Sequence, residues 1–146
     1  MLTQIHNRST TKDVDVIVKD LDPVTSEEYR IFKQAVTFVA QDKGVNPAWL
    51  SDNIAQFLLS IGTVPAGTLW FSQGKLEVYI PEGEYVLLTK LLSGRGKDTP
   101  DIEALLAVLG ITNRAQAEGI IQNYLDSTTQ QQYAQDLETV LNLFFD

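Results

Sequence analysis

The chain has 146 residues, a formal net charge of −8 and 44% hydrophobic residues, a size and composition typical of one domain with a buried core. It contains no cysteine and one histidine, His6, which excludes cysteine nucleophiles, Ser/His/Asp relays, cysteine-rich zinc sites and multi-histidine metal centres. The acidity disfavours a nucleic-acid partner, because the Lys and Arg residues are scattered singly from Arg8 to Arg114 and phosphates repel an acidic surface.

The N-terminal residues carry little to bury, so we expect a flexible lead-in over 1–12 and one compact domain over 13–146. This segment has neither the basic start nor the apolar run of a secretory signal, and no stretch of about 18 apolar residues occurs. We therefore expect a cytoplasmic protein of a bacterium or phage with no membrane segment.

Two elements are predicted before residue 45. Alternation of valine with polar residues over 14–18 predicts a short half-buried strand. Thr25 and Glu28 have the spacing of a capping box, which predicts a helix that runs to about Lys43 and ends at Gly44. This helix carries two apolar stripes, so we expect it to be covered on more than half of its surface. The second stripe consists of Ile31, Ala35 and Phe38.

Residues 46–80 predict a helix followed by a hairpin. Asn46-Pro47 is a helix start signal, and the apolar spacing continues to Ile61, so we expect a helical hairpin with the preceding helix. Strands at 68–72 and 75–80 follow, and an even loop centred on Gln73-Gly74 would make one face wholly apolar. In that register Phe71 lies opposite Leu76, and Leu69 lies opposite Val78.

The same register places Trp70 and Tyr79 together on the other face of the hairpin. Two interpretations follow. Another element covers these rings, or they form an exposed aromatic patch of the kind that marks a partner surface.

The C-terminal half predicts four helices, at 84–93, 99–109, from Thr112 to Leu125, and from Thr128 or Thr129 to Phe144. The fold class is therefore α+β and mostly helical, with about six helices around a small antiparallel sheet. That sheet is made from the hairpin at 68–80, to which the strand at 14–18 could add.

One glycine-rich segment and one acidic segment suggest ligand sites, but neither has the residue spacing of the motif that it resembles. Gly94-Arg95-Gly96-Lys97 lacks the first glycine and the Ser or Thr of a P-loop, which favours a flexible linker. Four aspartates lie at 13–22, and the spacing of Asp20 and Asp22 is that of the start of a calcium loop, but Thr25 replaces its obligatory glycine. We therefore expect no metal site, no cofactor and no catalytic residue.

Residues 101–125 have the outline of a helix-turn-helix, with Gly110 in the turn. Asn113, Arg114 and Gln116 are side chains that can read base edges. Acidic residues outnumber basic ones around them, which favours an ordinary helical hairpin. Binding of nucleic acid, or acidic decoy binding of a basic partner, is thus the alternative hypothesis.

The last turn of the chain is the other candidate surface, because Leu143, Phe144 and Phe145 crowd it and Leu143 and Phe145 lie off the main stripe. These side chains either dock within the molecule or contact a partner, since burying a large ring is worth roughly 2 to 3 kcal/mol. Together with Trp70 and Tyr79 they lead to the hypothesis of a non-catalytic protein-interaction or regulatory domain. Its partner would be another protein or a second copy of the chain.

Overall fold

The computed structural model describes residues 13–22 and 25–145. These residues form a mostly helical α+β structure with seven α-helices, one antiparallel strand pair and one parallel strand pair. They divide into two compact units, one within Thr10–Ser60 and one within Ile61–Asp146. The prediction of a single domain stays a prediction, and the expected lead-in at 1–12, with His6, lies outside the described residues.

The first unit joins two short strands and two helices. Its elements are β1 (Val14–Asp15), α1 (Glu27–Lys43), β2 (Leu50–Ser51) and α2 (Ala55–Ser60). β1 pairs in parallel with β2, so the predicted first strand exists but does not join the hairpin. Trp49 donates its indole N–H to the carbonyl oxygen of Val36 in α1 at 3.1 Å, which ties the segment before β2 to the helix.

The first helix has the expected length and a different cap. The hydroxyl of Ser26, rather than that of Thr25, accepts the backbone N–H of Tyr29 at 3.1 Å. The prediction that both apolar stripes are covered is wrong, because Ile31 and Phe38 are exposed. In the described part of this unit only two short strands and a short helix accompany α1, and they leave its second face exposed.

The predicted helix from Asn46 to Ile61 is also wrong in its first half. Asn46 caps a single turn, in which its side-chain oxygen accepts the backbone N–H of Ala48 at 2.8 Å. The chain then extends as β2, because β1 offers backbone partners: the N–H of Val14 donates to the carbonyl of Trp49 at 2.7 Å. A backbone partner distant in sequence thus outweighs the local start signal.

The second unit begins with the hairpin and continues as helices. Its elements are β3 (Thr68–Gln73), β4 (Leu76–Ile80), α3 (Gly83–Ser93), a 3₁₀ turn (Gly96–Asp98), α4 (Thr99–Leu109), α5 (Arg114–Tyr124), α6 (Ser127–Gln132) and α7 (Ala134–Phe145). The predicted last helix is thus two helices that meet at Tyr133. The first of them buries no side chain, so it depends on its cap, Asp126, whose carboxylate accepts the N–H of Thr129 at 2.7 Å.

The core of this unit lies around α3, against which α4, α5 and α7 each pack. α3 buries five apolar side chains, of which Leu87, Leu88 and Leu91 have no exposed surface. Each such leucine contributes about 1.5 to 3 kcal/mol by burial. The hairpin is not at the centre of this core, since β3 and β4 pack chiefly on each other.

Among the helices in the described ranges, none combines the length and the apolarity that crossing a bilayer requires.

Candidate interaction surface

The hairpin has a two-residue loop and a bulge that the sequence did not predict. Gln73 pairs with Leu76, so the loop is Gly74-Lys75, and Gly74 has a φ of 63°. A type II′ turn needs glycine at the first of two loop positions, which explains why the centre lies one residue later than expected. The even loop length was correct, and the predicted pairing was wrong.

The bulge places Trp70 between two paired positions. Leu69 lies opposite Tyr79 and Phe71 lies opposite Val78, so Trp70 has no cross-strand partner. The extra residue changes the alternation of the strand, which moves Leu69 to the face of Tyr79. The expected wholly apolar face is therefore divided between the two sides of the ribbon.

The hairpin exposes large apolar side chains along both strands. Trp70 is 66% exposed and Tyr79 47% exposed, so the interpretation in which another element covers these rings does not hold. Leu69, Phe71 and Leu76 are also exposed. Val78 and Ile80 are half-buried. An apolar surface of this kind is typical of a partner-binding site.

Two carboxylates beside the hairpin accept hydrogen bonds from tyrosine hydroxyls. Tyr79 donates to Glu77 and Tyr124 donates to Glu82, each at 2.8 Å. Burial raises the pKa of Tyr124 to about 12, together with the hydrogen bond to Glu82 and the charges of Glu82 and Glu84. Both hydroxyls thus stay protonated at neutral pH and act as donors to charged carboxylates.

The three predicted C-terminal surface residues divide into two kinds. Leu143 is 67% exposed, whereas Phe144 and Phe145 are half-buried. α7 packs against α3, α5 and α6, and makes no extensive contact with the hairpin. Leu143 and Trp70 thus lie on elements that do not pack extensively against each other.

The three candidate base-reading residues have partners within the fold. Asn113, rather than Thr112, caps α5 by accepting the N–H of Gln116 at 3.1 Å, and Gln116 in turn accepts the N–H of Thr112 at 2.8 Å. Arg114 forms ion pairs with Glu118 at 2.8 Å and with Glu138 of α7. These contacts favour an architectural role for the three side chains over recognition of bases.

A buried ionic cluster joins α3 to α4 and was missed by sequence reasoning. Lys90 lies 2.7 Å from Asp98 and 3.1 Å from Asp101, and both aspartates are buried. Asp98 also accepts hydrogen bonds from Ser93 at 3.0 Å and Arg95 at 2.9 Å. The segment at 94–97, expected to be a flexible linker, is thus held at its C-terminal end by the contacts of Asp98.

A signal for this cluster was present in the sequence. Asp98, Asp101 and Leu105 follow one another at helical spacing, so a carboxylate at Asp101 falls on the apolar side of α4. Burial raises the pKa of Asp98, but hydrogen bonds from Lys90 and Ser93 and the charges of Lys90 and Arg95 outweigh it and hold the pKa below its ordinary value of 3.8. The cluster is a charge-balanced structural contact.

Within the described residues, no group of three or more His, Asp or Glu side chains is arranged to hold a metal ion. No protein family model, no curated protein and no solved structure matches this chain. The candidate interaction surface is the hairpin, on which Trp70 and Tyr79 are exposed.

Proposed function

We propose that this chain is a non-catalytic protein-interaction domain and that the hairpin at 68–80 contacts the partner. The observation that supports the proposal is the exposure of Trp70 and Tyr79 on a ribbon with no extensive helix packing against it. A two-stranded hairpin is marginally stable in water by itself, and burying its aromatic side chains against a partner offsets that weakness.

The residue types at the hairpin are those that dominate measured binding energies. Tryptophan and tyrosine are enriched among interface residues whose truncation costs about 2 kcal/mol or more. Trp70 is the most exposed of the large apolar side chains of the hairpin, and the bulge removes it from cross-strand pairing. It is therefore the residue whose truncation should weaken the complex most. Leu143 is a separate and smaller surface, which we expect to contribute less.

The test is retention of proteins from a lysate of the source organism on the immobilised chain, measured by quantitative mass spectrometry. Wild type is compared with Trp70→Ser, Tyr79→Ser and the matched control Phe38→Ser, an exposed aromatic in the other unit. We expect a partner protein that is retained by wild type and by Phe38→Ser. The amount of it retained by Trp70→Ser should be about 30-fold lower, the factor that corresponds to about 2 kcal/mol.

Equal retention on Trp70→Ser, or loss on Phe38→Ser alone, would contradict the proposal. Because all three substituted side chains are exposed, the variants should melt at the temperature of wild type, and circular dichroism checks this.

A further inference from the structure

The charged groups around the hairpin are predominantly negative. The ribbon carries one cation, Lys75, and one anion, Glu77, and two further carboxylates, Glu82 and Glu84, follow β4 directly. All four side chains are exposed. Three carboxylates and one amine thus lie on the ribbon that carries the aromatic surface or directly after it in the chain.

Within the described part of the second unit, no Lys or Arg forms an ion pair with these three carboxylates. Three cations of this unit are engaged elsewhere, since Lys90 and Arg95 contact the buried cluster and Arg114 contacts Glu118 and Glu138. Glu77 and Glu82 are instead held by tyrosine hydroxyls, which position the carboxylates beside aromatic rings without neutralising them.

This distribution of charge restricts what the hairpin can bind. Three carboxylates beside an apolar surface repel phosphates and other acidic surfaces, and a second copy of this chain brings a further net charge of −8. A cation that approaches instead finds both the carboxylates and the faces of Trp70 and Tyr79, which attract ammonium and guanidinium groups.

We infer that the partner of the hairpin is a protein segment in which lysine or arginine side chains accompany apolar ones. The apolar side chains pack on Trp70 and its neighbours, and the basic side chains pair with Glu77, Glu82 and Glu84. The inference rests on the proposed function and adds the chemistry of the partner to it.

The test starts from random peptides displayed on phage and selected on the immobilised full chain, after removal of those that also bind Trp70→Ser. We expect the selected peptides to combine aromatic or aliphatic residues with an excess of Lys and Arg. Binding of one selected peptide is then measured by fluorescence anisotropy, and its affinity should weaken as salt is added.

Two triple variants separate local charge from net charge. Glu77→Gln/Glu82→Gln/Glu84→Gln removes the carboxylates beside the hairpin, and we expect it to weaken binding of the selected peptide about tenfold, since each exposed pair contributes modestly. Glu28→Gln/Asp42→Asn/Glu103→Gln removes the same charge from exposed positions elsewhere and should cause a much smaller loss.

The outcomes distinguish this inference from the proposed function. Peptides that need Trp70 but carry no excess of Lys or Arg would overturn the inference alone, as would equal losses in the two triple variants. Failure to obtain any peptide that needs Trp70 would overturn the proposed function as well. A dimer in sedimentation that dissociates on Trp70→Ser would show that the hairpin binds a second copy, which would also overturn the inference.

Discussion

At the scale of single residues, Lys90 makes the buried ionic contact that joins α3 to α4. Its ammonium is the shared partner of two buried carboxylates, so removing it leaves Asp98 and Asp101 without their main cation. Breaking a buried ion pair by deleting one partner costs far more than the intact pair contributes, because the remaining charge stays desolvated.

We expect Lys90→Met to lower the free energy of unfolding by about 3 to 5 kcal/mol. Arg95→Met is the matched control, because the Arg95 side chain is 53% exposed and Asp98 keeps its contact with Lys90. The control should lose at most about 1 kcal/mol, the usual magnitude for an exposed pair. Urea unfolding of both variants measures this, and equal losses would contradict the assignment.

Asp98 should make the stability depend on acid pH. Its pKa is lower in the fold than its ordinary value of 3.8, so its charged form is favoured by folding. The contribution is therefore complete above pH 3.8 and is lost as the pH falls through the lower folded pKa. The difference in unfolding free energy between wild type and Asp98→Asn should shrink as the pH falls below 3.8. A difference that stays constant down to the acid transition would contradict this.

In contrast to Asp98, Tyr85 has a buried polar atom without a hydrogen-bond partner in the described part of the chain. Its hydroxyl oxygen has no hydrogen-bond partner among the described residues, and its ring lies 5.5 Å from that of Tyr124. Tyr85→Phe should therefore raise the free energy of unfolding by about 1 kcal/mol, because an unpaired hydroxyl no longer needs to be desolvated. Tyr124→Phe, which removes the hydrogen bond to Glu82, should instead lower it by about 1 kcal/mol. A thermal melt in which Tyr85→Phe is the less stable of the two would refute this account.

At the scale of elements, Gly67 allows the backbone just before β3 to approach the end of β4 closely. It has a φ of 73°, and a Cβ at this position would overlap the carbonyl oxygen of Ile80 at the end of β4. The backbone of β3 can approach β4 here only because glycine has no side chain.

Two glycine substitutions should therefore change stability in opposite directions. Gly67→Ala should destabilise the second unit by more than about 1 kcal/mol, since both the positive φ and the overlap oppose it. Gly119→Ala should stabilise it by about 0.5 to 1 kcal/mol, because Gly119 lies inside α5 and a Cβ there meets nothing within 4 Å. Chemical denaturation of the two variants distinguishes the directions, and stabilisation by Gly67→Ala would be incompatible with the observed hairpin.

The helices were predictable where local signals and apolar spacing agreed. α3, α4 and α5 begin and end within a few residues of their expected positions, because Gly94 and Gly110 end their helices in left-handed conformations. The segment at 46–61 was not predictable, because its extended part depends on the backbone of β1, more than thirty residues earlier in the sequence.

The hairpin register shows a second limit of sequence reasoning. Choosing a register by the number of apolar pairs assumes that one face is buried. All six residues of β3 and three of the five of β4 are exposed, so burial does not select one face, and the conformation of Gly74 and the bulge at Trp70 set the pairing instead. The candidate residues Trp70 and Tyr79 were nevertheless identified from the sequence, and what the sequence could not supply was their exposure.

At the scale of the whole molecule, the two kinds of acidic residue have separate consequences. Asp98 and Asp101 are buried and paired with Lys90 and Arg95, so they serve stability. The carboxylates at 77, 82 and 84 are exposed and lack an ion-pair partner among the described residues, so they remain free to influence which partners approach the hairpin. Three of the carboxylates that contribute to the net charge of −8 therefore lie on the hairpin or directly after it.

The central claim is that the hairpin touches another protein, and site-specific photo-crosslinking tests it most directly. A photoreactive phenylalanine derivative replaces Tyr79 in one form of the full chain and Phe38 in another, and each is irradiated in cells of the source organism. We predict a crosslinked species of higher mass from position 79 that contains a second, different protein, and a much weaker product from position 38. Crosslinking from position 38 alone, or none from position 79, would contradict the claim.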